Sequence, residues 1–118
     1  AAPSDIELSA LAAMLHSFYT GIENVLKRIC AKSGDDLPRG EFWHRQLLDA
    51  MACAGKTRSP VITADLRGRL AEYLQFRHVF RHAYSFELRW EKMRPMVLDC
   101  EGTLASVEAQ LESILSRL

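Results

Sequence analysis

No run of apolar residues in this 118-residue chain reaches membrane-spanning length. Cysteine is scarce. Cys30, Cys53 and Cys100 are odd in number and form no C-x-x-C pair, which argues against a disulfide framework or a zinc knot. Neither charge sign is in excess, with fifteen Lys and Arg against fifteen Asp and Glu, so composition alone does not mark a polyanion-binding protein. No H-E-x-x-H motif, internal repeat or low-complexity tract occurs, and no segment alternates with period two for long enough to make a strand. The N-terminus lacks the basic and apolar regions of a signal peptide. With the unpaired cysteines, this places the expected setting in a reducing cytoplasm.

What is present is helical periodicity. Hydrophobic residues make up 48% and charged residues 25% of the chain, the balance of one globular domain, taken here as residues 3–118. Leu8, Leu11, Leu15, Phe18, Ile22, Val25 and Ile29 recur at helical spacing over Asp5 to Lys32, and Ser4 with Glu7 forms a capping box. A loop from Ser33 to Glu41 precedes a short helix expected over Glu41 to Cys53. A second loop, Ala54 to Pro60, leads to Thr63, which caps a third helix with Leu66, Leu70, Tyr73 and Leu74 on one face. The last helical segment runs roughly from Phe86 to Leu118, and Pro95 should bend it or restart it. These elements predict an all-α fold, an antiparallel four-helix bundle with a short extra helix and loops.

The charge is unevenly spread. Between Leu66 and Arg94 stand seven basic residues against three acidic ones, an excess of +4 that the remainder of the chain cancels. A polyanion would approach through this segment. Its centre reads Phe76-Arg77-His78-Val79-Phe80-Arg81-His82-Ala83-Tyr84-Ser85-Phe86-Glu87. At about 100° per residue, Leu70, Tyr73, Leu74, Arg77, Phe80, Arg81 and Tyr84 share one broad face. Arg77 therefore lies on the apolar stripe, where an arginine needs an anionic or aromatic neighbour. Two outcomes fit: a guanidinium that snorkels at the bundle edge or pairs with a structural acid, or one held in a functional site. His82, five residues on, is about 140° further around an ideal helix. For the two to converge, the helix must end or distort, or a second subunit must supply the complement. His78 and His82 share a face at i, i+4, but no third metal ligand follows from the sequence.

An arginine beside a histidine suits phosphodiester cleavage in RNA. The histidine can take the 2′-hydroxyl proton. The arginine's planar fork can hold the scissile phosphate and the charge that develops there. The nucleophile is internal, so the reaction does not need a metal. A tyrosine nearby can bond a phosphate oxygen or stack on a base.

Arg77 to Tyr84 fits R-x4-H-x-Y. Together with "LHSFYTGIENVLKRI", "GEFWHRQLLDAM" and "LAEYLQFRHVFRHAYSFELRWEKMRPMV" it resembles the HEPN superfamily, in its HepT-like branch, over residues 5 to 115. The resemblance implies a HEPN bundle that dimerises through the motif helices and brings two R-x4-H motifs to one cleft. It implies a metal-independent endoribonuclease, without cofactor, that is the toxin of a toxin–antitoxin pair acting on RNA such as tRNA or mRNA. The partner implied is a minimal nucleotidyltransferase (MNT) antitoxin that adds AMP to the motif tyrosine; no membrane is involved. Carried onto this chain, His82 is the general acid/base, Arg77 the phosphate binder, His78 a polar supporter and Tyr84 the AMPylation target. Arg81 can help hold RNA, and Glu87 can pair with Arg81 or Arg77 to set their geometry. His82→Ala and Arg77→Ala are each expected to abolish cleavage while leaving the fold intact. The alternative is a non-catalytic helical module that binds a nucleotidyltransferase or a nucleotide through the same cleft.

Trp43 and His44 can border a cleft, although Trp43 reads first as a packing residue. Trp90 reads as core or dimer interface. Met14, Met51, Met93 and Met96 read as core filler, and the three cysteines as buried thiols.

Overall fold

A computed structural model describes residues 2–82 and 88–116, with residues 79–82 described by their backbone alone. Its regular elements are α1 (Asp5–Lys32), α2 (Trp43–Met51), α3 (Ala64–His82) and α4 (Trp90–Leu115). Among the described residues there is no strand, and no helix is long and apolar enough to cross a membrane. The architecture is the all-helical one that the periodicity predicts.

The capping box forms at the start of α1. Glu7 N donates to Ser4 Oγ at 3.2 Å, and Ser4 N donates to Glu7 Oε1 at 2.9 Å. At its end Gly34 takes φ 78°, a left-handed conformation that suits a residue without Cβ. That turn lets Gly34 N reach Ala31 O and Asp35 N reach Cys30 O, which closes the last carbonyls of α1. The buried stripe of α1 is Ala12, Leu15, Tyr19, Ile22, Glu23, Leu26, Ile29 and Cys30. It is rotated from the one expected: Val25 is 40% exposed, while Tyr19 and Leu26 are buried. The bulky side chains of Tyr19 and Leu26 fill the core, and Val25 is left on the outer side.

α2 is shorter at both ends than the sequence predicts. Glu41 and Phe42 form a turn before it, following Gly40 at φ 103°. Its other end is closed by Arg58, which donates to Ala50 O at 3.4 Å and Cys53 O at 2.9 Å, while Val61 N and Ile62 N converge on Met51 O. Asp35 completes this knot by accepting from Arg58 Nε at 2.7 Å and from Lys56 N at 3.1 Å. Cys53 follows the helix end and is exposed, which corrects its reading as a buried thiol. Cys100 is half-buried, and Cys30 is buried. Burial pushes the thiols of Cys30 and Cys100 up, with nearby Asp35 and Asp99 respectively adding to the effect. Met51 and Met93 are buried and Met96 packs at the edge of the core, whereas Met14 is 42% exposed and so is not core filler.

Thr63 Oγ1 caps α3 by accepting from Leu66 N at 3.1 Å. Leu66, Leu70, Tyr73 and Arg77 form its buried stripe. α4 lies antiparallel to α3: Thr63 meets Gln110, Arg69 meets Ser106 and Asp99, and the Tyr73 hydroxyl donates to Met96 O at 2.9 Å. α4 runs through Pro95 without a restart: the proline stands in the second turn, where it gives up the one bond to the Glu91 carbonyl while the helix continues. Trp43 and Trp90 are half-buried and pack against the core.

Candidate active site

Three helices bring one polar group together inside an otherwise apolar core. α3 contributes Arg77, which is 5% exposed. α1 contributes Tyr19 and the adjacent Thr20, with Glu23 one helical turn further on. α2 contributes His44 in its first turn, with Trp43 beside it.

Arg77 meets Glu23 as a fork. Its Nη1 donates to Oε1 and its Nη2 to Oε2, both at 3.1 Å, the bidentate geometry that makes such pairs strong. Nη1 also donates to Thr20 Oγ1 at 3.2 Å. Nη2 lies 2.7 Å from His44 Nδ1, and that same nitrogen is 2.8 Å from Glu23 Oε2. The guanidinium sits over the Tyr19 ring, 5.0 Å from its centroid. Burial pushes the Tyr19 phenol well above its ordinary range; Glu23 adds to this and Arg77 opposes it. Tyr19 is thus a neutral wall of the site.

His44 Nδ1 cannot serve both neighbours at once. With a lone pair it accepts from Arg77, and with a proton it donates to Glu23. His44 and Thr20 are the members of the cluster that solvent partly reaches. The His44 side chain is 29% exposed against 5% for Glu23. Its ring stacks on Trp43 with centroids 3.7 Å apart, and the Lys27 ammonium lies 4.9 Å from the Trp43 ring centroid. The aromatic pair therefore forms a cationic rim beside a buried ion pair.

Arg77 has both the anionic and the aromatic neighbour that its position on the stripe demands. Of snorkelling at the bundle edge and pairing with an acid, pairing is the one realised, and the acid is Glu23. This changes what Arg77→Ala can report, because removing Arg77 strands a buried carboxylate. That substitution cannot be expected to leave the fold intact. His78 is exposed, next to Arg77 on α3. His82 and Arg81 belong to the last turn of α3, and their side chains lie outside the described residues, as do Tyr84 and Glu87 entirely. Among the described residues no group of three or more His, Cys, Asp or Glu side chains is disposed to hold a metal ion.

Glu23 is the residue that sequence reasoning missed. Its signal was a carboxylate four residues after Tyr19 and three before Leu26 on an apolar stripe, the counterpart of the arginine displaced onto the stripe of α3. His44 was visible only as a residue near a cleft.

Among known protein families, the one described as HepT-like protein has a model that matches residues 10–118. No curated protein and no solved structure matches the chain.

Proposed function

The chain belongs to the HepT-like protein family, and on that premise we propose that it is a metal-independent endoribonuclease, the toxin of a toxin–antitoxin pair. The observation that carries this reading is Arg77. It is a buried arginine of an R-x4-H-x-Y string, held in a fixed orientation by Glu23, Thr20 and Tyr19. Unpaired, such a charge would not be tolerated there; fixed, it is pre-organised for charge that develops on a phosphate. His82 lies about 7.5 Å further along the axis of α3 and serves as general acid/base. His78 supports it, Arg81 adds charge for RNA, Glu87 pairs with Arg81, and Tyr84 accepts AMP from an MNT-type nucleotidyltransferase antitoxin. Two copies pair through α3 so that the two motifs complete one cleft.

The test expresses the wild type and His82→Ala side by side, scoring growth and RNA integrity, and assays both purified proteins with and without chelator. Wild type should arrest growth and cut RNA in either condition, and His82→Ala should do neither. Undiminished cleavage by His82→Ala, or strict dependence on a metal ion, would overturn the reading.

One observation favours a second reading. Arg77 already spends its Nη contacts on Thr20, Glu23 and His44, which suits a non-catalytic module that binds a nucleotidyltransferase or a nucleotide. A tight complex with the nucleotidyltransferase, formed by a wild-type protein that leaves RNA intact, would select it.

A further inference from the structure

We propose that His44 is a second catalytic histidine, with Glu23 as its orienting carboxylate. The inference rests on the ribonuclease reading and adds a residue that the R-x4-H-x-Y string does not contain.

The geometry is that of a carboxylate–histidine dyad. Glu23 Oε2 stands 2.8 Å from His44 Nδ1, and the carboxylate is itself fixed by the Arg77 fork. A carboxylate so placed sets which nitrogen carries the proton and aims the ring. The ring's other nitrogen, Nε2, then offers chemistry to a ligand. Trp43 backs the imidazole, and the His44 side chain is 29% exposed beside the buried Glu23.

With the Nδ1 proton directed at Glu23, His44 is no acceptor for Arg77 Nη2, 2.7 Å away, and the guanidinium stays committed to Glu23 and Thr20. The Arg77–Glu23 pair is neutral as a unit, so a His44 protonated at Nε2 joins Lys27 over Trp43 as the positive charge that the site can show an anion. The charged groups touching His44 are Glu23 from α1 and Arg77 from α3; Lys27 lies over the adjacent Trp43, Tyr19 under Arg77, and Arg45, next in the chain, faces Asp49.

Cleavage needs two proton transfers, and His82 is assigned one of them. His82 takes the proton of the 2′-hydroxyl while the O2′ electron pair forms a bond to phosphorus. The bond from phosphorus to the 5′-oxygen breaks, and its electron pair leaves on that oxygen. His44 Nε2 gives it a proton. The products are a 2′,3′-cyclic phosphate and a 5′-hydroxyl end; no water, metal or redox partner is consumed. His44 keeps its Nδ1 proton on Glu23, and solvent resets both histidines.

The experiment measures cleavage of purified total cellular RNA by the full chain from pH 4.5 to 9, counting cyclic-phosphate ends. Wild type, His44→Gln and His82→Ala are compared after circular dichroism melts establish that each is folded. The wild-type profile should be bell-shaped. His44→Gln should cut about 10²–10⁴-fold more slowly and lose one limb of the bell. If wild type cuts and His44→Gln keeps its rate and both limbs, His44 has no catalytic role and the ribonuclease reading stands without it. If wild type cuts no faster than His82→Ala, the ribonuclease reading falls and this inference with it. Should His44→Gln not fold, the wild-type profile decides: one limb overturns the second histidine, and two limbs sustain it.

Discussion

Arg77 divides its guanidinium among Thr20, Glu23 and His44, and the cost of emptying that arrangement falls on Glu23. Breaking a buried pair by removing one partner costs about 3–5 kcal/mol, because the other charge is left uncompensated. Arg77→Ala and Glu23→Ala should therefore each lower the free energy of unfolding, read from urea titration, by an amount of that order. The double variant should cost much less than the sum, and additive losses would mean that the fork contributes no coupling. Half of this pair was legible from residue spacing. Leu66, Leu70, Tyr73 and Arg77 step by four, three and four, so a charge on the buried side of α3 followed from periodicity. Glu23 and His44 did not follow, because their meaning depends on how α1 and α2 meet α3, a distance of 54 and 33 residues along the chain.

Elements end where side chains from elsewhere finish them. The Arg58 knot stops α2 and ties the loop after it to the turn after α1. Gly55 lies inside that knot: a Cβ there would stand 2.6 Å from Asp35 Oδ2 and 2.8 Å from Arg58 Cζ. No local pattern marked this loop as more than a connection, since Asp35 and Arg58 are 23 residues apart. The Asp35 carboxyl is held below its ordinary value, first by the Lys56 backbone amide and then by Arg58. A carboxyl lowered on folding stabilises above its unfolded pKa, near about 4, and loses that contribution as pH falls through its folded value. Wild type should thus be more stable than Asp35→Asn at pH 6, and the gap should close as pH is taken towards 2.5. A gap that persists in acid would place the role of Asp35 outside its charge.

At the scale of the whole molecule, the principal extents are 48 × 30 × 18 Å and the radius of gyration is 15.3 Å. A compact chain of this length would have a radius of about 13.5 Å, so the molecule is elongated and little more than one helix pair thick. Of the basic residues between Leu66 and Arg94, Arg67, Arg69 and Arg77 are paired with Asp49, Asp99 and Glu23, which leaves the proposed RNA contact to the others. That contact should weaken as salt rises. Filter binding between 50 and 300 mM salt should show a steep fall, and a flat response would remove that segment from RNA contact.

The Glu23–Arg77 pair also carries a statement about time. As the chain leaves the ribosome, α1 emerges with a carboxylate on the stripe that must later be sealed, and its counter-ion is made 54 residues afterwards. Until then the apolar part of that stripe can be covered only at the cost of leaving Glu23 unpaired, so its carboxylate favours water. The site's assembly is thus deferred to a long-range closure that only a chain extended past Arg77 can make.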